Sequence, residues 1–292
     1  MTDRVSNPVA GALWMISAGM SLVGMAILVR YLTPEYHVLE LIFLRNVVNL
    51  ALMIPWLAAA GLVALKTERL GAHAVRNVFL YGGNVAWYLG VTLVPLAELA
   101  ALQFTMPIFT VIMAGIVLRE RIGLHRALVV GAGVAGTLII VRPGAIDIGA
   151  GPLVVLTAAF LYSCAYIVTK QLSRTDSGNQ VVFYMSLFIL VFSAIPAAFV
   201  WRTPDGSDAV PLIAMGVSGY ATHYCVTRSL ASADASYVVP FDFLRLPMSV
   251  GFGFVLFAEP LEPRTWLGAA VIFAAAYYNT WHESKLGLNP RR

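Results

Sequence analysis

The chain has 292 residues, of which 59% are hydrophobic and 12% charged, with a formal net charge of +4. At a mean hydropathy of +0.79 it carries more apolar surface than a soluble fold can bury. It reads as an all-α polytopic membrane protein, because lipid obliges backbone groups to pair within a segment.

Several other classes drop out. The alternating short strands of a membrane barrel are not seen. No basic, aromatic-interleaved segment offers a nucleic-acid surface. Cys164 and Cys225 both sit in apolar runs and supply neither a disulfide framework nor a metal spacing.

Ten apolar runs reach the length of about 20 residues that spans a bilayer. In order they cover about 9–30, 38–60, 76–94, 97–118, 124–141, 151–170, 180–201, 209–229, 235–258 and 265–282. The connections are short and hold the breakers: Thr33-Pro34, Val94-Pro95, Arg142-Pro143-Gly144, Thr203-Pro204-Asp-Gly206, and Glu259-Pro260 through Pro263. Residues 1–8 are polar and the first run is of full spanning length, so no cleavable signal peptide is expected. No stretch remains for a soluble domain.

Placement of Lys and Arg gives the orientation. With the N-terminus inside, Arg4, Lys66, Arg69, Arg76, Arg119, Arg121, Arg126, Lys170, Arg174, Arg228, Lys285, Arg291 and Arg292 are cytoplasmic. Arg30, Arg142, Arg202 and Arg264 lie outside, and Arg45 and Arg245 fall within spans. Both termini are therefore expected in the cytoplasm of a cell whose inner, or plasma, membrane holds the protein.

The chain also repeats itself. Leu118-Arg-Glu120-Arg-Ile closes span four as Phe257-Ala-Glu259-Pro-Leu closes span nine. Gly90-Val-Thr92 is similar to Cys225-Val-Thr227, and Gly151-Pro152 opens the second half as Asn7-Pro8 opens the first. The repeats are read as 1–148 and 149–292, with five spans each. An odd number of spans inverts the second half, which places a pseudo-two-fold axis in the membrane plane and a site near mid-depth.

These pieces carry a resemblance. Phe43-Leu-Arg45-Asn46, Pro95-Leu-Ala-Glu98, Phe104-Thr-Met-Pro107, Leu118-Arg-Glu120-Arg121, Ile140-Val-Arg142-Pro143-Gly144, and Val239-Pro240-Phe241-Asp242 with Phe257-Ala-Glu259-Pro260 span both halves. In that order they resemble a ten-helix EamA-domain member of the drug/metabolite transporter superfamily. The subgroup it looks like holds S-adenosylmethionine-uptake-like permeases and exporters of amino acids and related metabolites. The resemblance implies a permease of a small organic metabolite; substrates in this family are diverse. Small four-helix exporters of the superfamily carry a proton-coupling Glu in span one, whereas here Trp14 to Val29 contains no acid.

Candidate binding residues follow from helical spacing. In span three Asn77, Tyr81, Asn84 and Tyr88 fall on one stripe. They read as a polar, aromatic cavity wall, or as interhelical hydrogen bonding of the ordinary kind. Tyr220, His223, Tyr224 and Thr227 share a face of span eight, with His223 as the protonation candidate. Span six offers Tyr162 and Tyr166, and span four offers Gln103. Ser17, Ser21 and Met25 of span one read as packing residues.

Span nine carries Asp242 and Arg245 three apart between Pro240 and Pro247. They read either as an intrahelical pair or as partners for a zwitterion, Arg245 holding a carboxylate and Asp242 an ammonium. Pro107, Pro240 and Pro247 are expected to break their helices and serve gating. Arg45 has only Glu40 nearby, five residues earlier and poorly placed, and reads as pairing with a carbonyl or carboxylate of a neighbouring helix or as snorkelling. Glu120 and Glu259 read as ties for helix ends, with a role toward a transported ion as the alternative.

The small-residue runs of spans five and ten read as packing within the monomer or as the seam of a homodimer. The expected partners are a small-molecule substrate and the lipid bilayer, with no cofactor, metal or nucleic acid. The functional reading is a secondary transporter of a small organic metabolite, such as an amino acid or another zwitterionic or aromatic compound, working by alternating access. A passive channel and a membrane-embedded enzyme are the alternatives. The enzyme lacks any HExxH motif or matched nucleophile and base, and the channel lacks a continuous polar ring.

Overall fold

The computed structural model describes residues 7–61, 65–117, 124–141, 149–172, 175–233, 238, 241–260 and 262–287. Among these, all regular structure is helical. The helices are α1 (Pro8–Leu32), α2 (Val38–Ala60), α3 (Leu70–Leu93), α4 (Leu96–Gln103), α5 (Met106–Val117), α6 (Leu124–Val141), α7 (Ala150–Leu172), α8 (Gly178–Phe199), α9 (Ala209–Ser232), α10 (Arg245–Phe257) and α11 (Pro263–Gly287). Together they make ten spans, because α4 and α5 are two pieces of one. Pro240, Glu120 and the Arg142–Gly144 turn lie outside the described residues.

Both broken spans have a local cause. Pro107 and Pro247 sit in the first turns of α5 and α10, where a missing N–H is tolerated. Neither can bond to the carbonyl four residues back, so the preceding helix stops. The breaks fall at Phe104–Thr105 and Phe243–Leu244. The Leu246 N–H closes onto the Phe243 carbonyl in a tighter turn, at 3.0 Å.

The third span begins at Leu70, ahead of its apolar run at 76. The extra turn is polar because it is bound to its neighbours. His73 Nε2 lies 2.7 Å from Asp176, which also accepts from Thr67. Arg76 donates to Thr169 in α7 and to the Val181 carbonyl in α8. Helices α3 and α9, 24 residues each, fall outside the set apolar enough to cross a membrane by composition alone. Each packs on the first two helices of the other half.

The packing is the same for the two halves when they are exchanged. α1 and α2 pack on α9, as α7 and α8 pack on α3. α2 meets α8, and α6 meets α11. Helices α3 and α9 begin and end 139 positions apart, and so do the starts of α5 and α10 and of α6 and α11. That register differs by one helical turn from the match of Gly90–Thr92 with Cys225–Thr227. Each half therefore lends its third helix to the other half.

The small-residue faces of α6 and α11 meet each other within the chain. A methyl group built at Gly136 would lie 2.8 Å from the Gly268 carbonyl oxygen, and one at Gly268 would lie 2.6 Å from that of Gly136. Backbones this close exclude any Cβ at either site. Replacing Gly268→Leu is expected to cost about 1–3 kcal/mol by overpacking. The check is a lowered thermal midpoint in detergent, with Gly131→Leu, whose Cβ would meet nothing, as the unaffected control.

A candidate substrate crevice

One stripe of α9 shows where the bundle is open. Leu212, Gly216 and Gly219 follow each other at helical spacing and are buried against α2 and α1. Gly216 faces Val48, and Gly219 faces Arg45 and Met25. The next residues on the same stripe are His223, Thr227 and Leu230, and all three are exposed. A stripe that points into the bundle at one end and is accessible at the other lines a crevice.

The equivalent stripe of α3 is closed. The residues 139 positions earlier are Asn84, Tyr88 and Val91, with exposures of 7%, 0% and 0%. Leu230, the counterpart of Val91, is 48% exposed. The two halves share a helix pattern and differ in access. The bundle is open at the end where α9 finishes and shut at the end where α3 finishes.

The shut end is held by a charged tie. Arg30 at the end of α1 pairs with Glu259 and donates to the carbonyls of Val91 and Val94 where α3 ends. Glu259 also accepts from the Leu96 N–H at the start of α4, at 2.8 Å. Its position is set by Ala258, whose φ of 51° is left-handed. The chain turns there, and the Glu259 N–H returns to the Gly253 carbonyl at 3.1 Å. A non-glycine residue in that region costs about 1–2 kcal/mol, which the ion pair and the amide contact offset. Nearby, Tyr36 donates to Asp208 at 2.7 Å, and Arg202 pairs with Glu35.

The blind end of the crevice is polar and aromatic. Tyr88 is fully buried, edge-on to Trp87 at 5.4 Å. The Arg45 guanidinium carbon lies 5.7 Å from the Tyr88 ring centroid. The Tyr162 hydroxyl of α7 donates to the Asn84 side-chain oxygen, Oδ1, at 3.0 Å. Gly83 makes room for this, since a Cβ there would lie 2.8 Å from the Tyr162 ring.

The two broken spans cross beside it. Phe104 and Phe243 are stacked, 4.2 Å between centroids and 20° between planes. They are 139 positions apart, as Glu120 and Glu259 are, so equivalent residues of the two halves touch each other across the pseudo-axis. The Arg245 guanidinium carbon lies over the Phe104 ring, 4.2 Å from its centroid. The Arg245 Nε is 3.6 Å from Asp242, an ion pair rather than a hydrogen bond. Arg245 and Gln103 line a small cavity with Leu22, Trp87 and Ser249.

The other sequence candidates are placed as follows. Asn77 is fully buried and donates to the His73 and Tyr184 carbonyls, so it serves the contact of α3 with α8. Tyr81 lies against Phe192 of α8, 6.3 Å between centroids. Tyr220 stacks on Tyr224 at 6.3 Å, and Tyr224 meets Trp14 of α1 edge-on at 5.9 Å. Tyr166 is exposed. Ser17 and Ser21 bond to carbonyls of their own helix. The structure thus brings Asn84, Tyr88 and Tyr162 together, and Gln103 with Arg245, while Asn77 stands apart. Trp14, Arg30 and Arg45 were not among the sequence candidates. Only Arg45 carried a signal there, as a charge within a span with no acid three or four residues away.

Access along the two stripes is directly measurable. In protein carrying Cys164→Ser and Cys225→Ser, a thiol at His223→Cys or Leu230→Cys is expected to react with a water-soluble thiol reagent. Asn84→Cys and Val91→Cys, at the matched positions, should react at least about tenfold more slowly, as burial of the thiol requires an opening worth upward of 1.4 kcal/mol. Equal rates at matched positions would contradict the one-sided crevice.

Known proteins share this plan. The EamA-like transporter family model matches the chain twice, over residues 9–142 and 149–281. A riboflavin transporter of Vibrio cholerae is 30% identical over 284 residues, covering 96% of this chain and 95% of its own. A riboflavin transporter of Rhizobium johnstonii is 29% identical over 288 residues, covering 98% and 95%. An S-adenosylmethionine uptake transporter of Rickettsia felis is 26% identical over 285 residues, covering 98% and 97%. A crystal structure superposes with a TM-score of 0.64 at 18% identity, over 95% of this chain and 99% of that one, a likeness of fold. With two family domains, ten spans in inverted halves and relatives that match end to end, the chain is a multi-pass membrane transporter, not an enzyme, and belongs to the EamA-like transporter family of the drug/metabolite transporter superfamily.

Proposed function

We propose that the protein is a secondary permease of the bacterial inner membrane that moves a small aromatic or zwitterionic metabolite by alternating access. Residues 1–148 and 149–292 act as the two inverted repeats. The observation that carries this reading is the unequal access of matched stripes: Asn84, Tyr88 and Val91 are closed while His223, Thr227 and Leu230 are open. Two halves of one design, held in different states, are what rocking about a fixed mid-depth site requires. Exchange of the two states moves the opening to the other side. A passive channel fits less well, since the Arg30–Glu259 tie shuts one end.

The excess of Lys and Arg at the open end supports a cytoplasmic location for that end and for both termini. The state described here is then inward-open. The relatives named for riboflavin and S-adenosylmethionine supply the first substrates to try, alongside amino acids.

Counterflow in proteoliposomes tests the reading. Internal unlabelled substrate should accelerate entry of labelled substrate for at least one member of that panel. Entry that is indifferent to internal substrate for every solute that crosses would indicate a channel. The tie gives a second test. Glu259→Gln is expected to raise reaction of a thiol at Val91→Cys at least about fivefold, the effect of roughly 1 kcal/mol on the opening.

A further inference from the structure

The crevice ends at a charge with no counter-ion. Arg45 is 6% exposed, and among the described residues no carboxylate lies within ion-pair distance. Its Nε has no hydrogen-bond partner, and the buried hydroxyl of Tyr88 beside it faces the Arg45 guanidinium and no other polar partner among the described residues. The other inward arginines differ. Arg30 has Glu259, Arg245 has Asp242, and Arg76 donates to Thr169 and Val181. A lone charge at mid-membrane costs about 2.5–3.5 kcal/mol even on the mildest scale, and such residues usually face a cavity or a transport path.

The fold holds Arg45 in place. A Cβ at Gly219 would lie 3.2 Å from its Cδ and 3.3 Å from the Met25 sulfur, so the stem is gripped between α9 and α1. Gly219 is also the last buried residue on the α9 stripe, one turn before exposed His223. A solute that enters along His223 and Thr227 therefore meets Arg45 at the blind end. Asp242 is engaged with Arg245.

We propose that Arg45, with the Tyr88 hydroxyl, binds the acceptor-bearing end of the substrate, a carboxylate or the conjugated carbonyls of a flat heteroaromatic ring, and that the permease therefore takes neutral or anionic solutes and excludes net cations. The planar guanidinium suits two parallel acceptors. The inference rests on the permease reading and narrows its substrate class. Riboflavin, uncharged with two ring carbonyls, fits; S-adenosylmethionine, with its sulfonium, does not.

Two measurements test it. The first needs no substrate. With Cys164→Ser and Cys225→Ser in place, His223→Cys is reacted in proteoliposomes with an anionic sulfonatoethyl and a cationic trimethylammonioethyl methanethiosulfonate. Adding Arg45→Gln should lower the anionic-to-cationic rate ratio at least about tenfold, as loss of a nearby charge in a medium of low dielectric predicts. Arg45→Lys, which keeps the charge, should preserve the ratio. An unchanged ratio in Arg45→Gln overturns the proposal.

The second is counterflow with the full protein. Riboflavin should exchange, with its half-saturating concentration raised at least about tenfold in both Arg45→Gln and Arg45→Lys, because lysine lacks the fork. The thermal midpoint of Arg45→Gln should hold or rise, since an unpaired buried charge is removed; a structural arginine would give a fall. Exchange of S-adenosylmethionine by the unaltered protein, or unchanged half-saturation in Arg45→Gln, overturns the proposal. If no solute exchanges, the permease reading fails, and the reagent ratio alone decides the role of Arg45.

Discussion

Close approach of helices across the two halves is the contact on which the rest depends. In lipid no hydrophobic force drives helices together, so packing at short range does the work. α1 lies on α9 through Gly11, and α7 lies on α3 through Gly151, each glycine pressed on the end of its partner helix. Equivalent helices thus build equivalent joints. Because each half holds the other's third helix, the cavity between them is lined from both, and neither half encloses a site by itself.

That shared construction makes the differences between halves meaningful. The stripe of α9 changes from buried to exposed between Gly219 and His223, whereas the matched stripe of α3 stays buried to its end. Sequence cannot account for this through polarity alone. Tyr88 and Val91 are closed and Thr227 and Leu230 open, although Leu230 is as apolar as Val91. At the shut end the tie of Arg30 with Glu259 draws together the ends of α1, α3 and α10 and the start of α4. The crossing of the broken spans sits between open and shut ends. There Phe104 and Phe243, equivalent by position, stack on one another. Contact between like residues at an axis is the one arrangement that exchange of the halves leaves unchanged.

Much of this was legible from the chain. Ten apolar runs and an odd number per half give the inverted plan without any coordinates. Helical spacing brought Asn84 and Tyr88 onto one face, and Tyr162 joined them through a hydrogen bond that no spacing reveals. Asn77 shares that face by periodicity, yet it bonds to Tyr184 because α3 passes behind α8 at that level. Short-range similarity matched Gly90–Thr92 to Cys225–Thr227, one turn out of the register that packing selects. A single turn keeps a helix face nearly constant, so hydropathy cannot detect the slip. Arg45 was visible as an oddity only. Whether a charge in a span is neutralised depends on helices distant in sequence, and that is settled by tertiary contact. Access, likewise, is a property of a state and leaves no mark on composition.

The joint of α1 with α9 also has a consequence in time. Ala209 follows Leu32 by 177 positions. At synthesis rates of about 5–20 residues per second, α1 waits roughly 9–35 s for the helix it packs against. During that interval its glycine-lined face meets only lipid. α1 tolerates this because it is among the spans apolar enough to stay in the bilayer unaided. α9, which is not, emerges when its berth already exists. At this joint the order of the helices along the chain is thus also an order of assembly: the self-sufficient span is laid down early, and the more polar one joins it in a place already prepared.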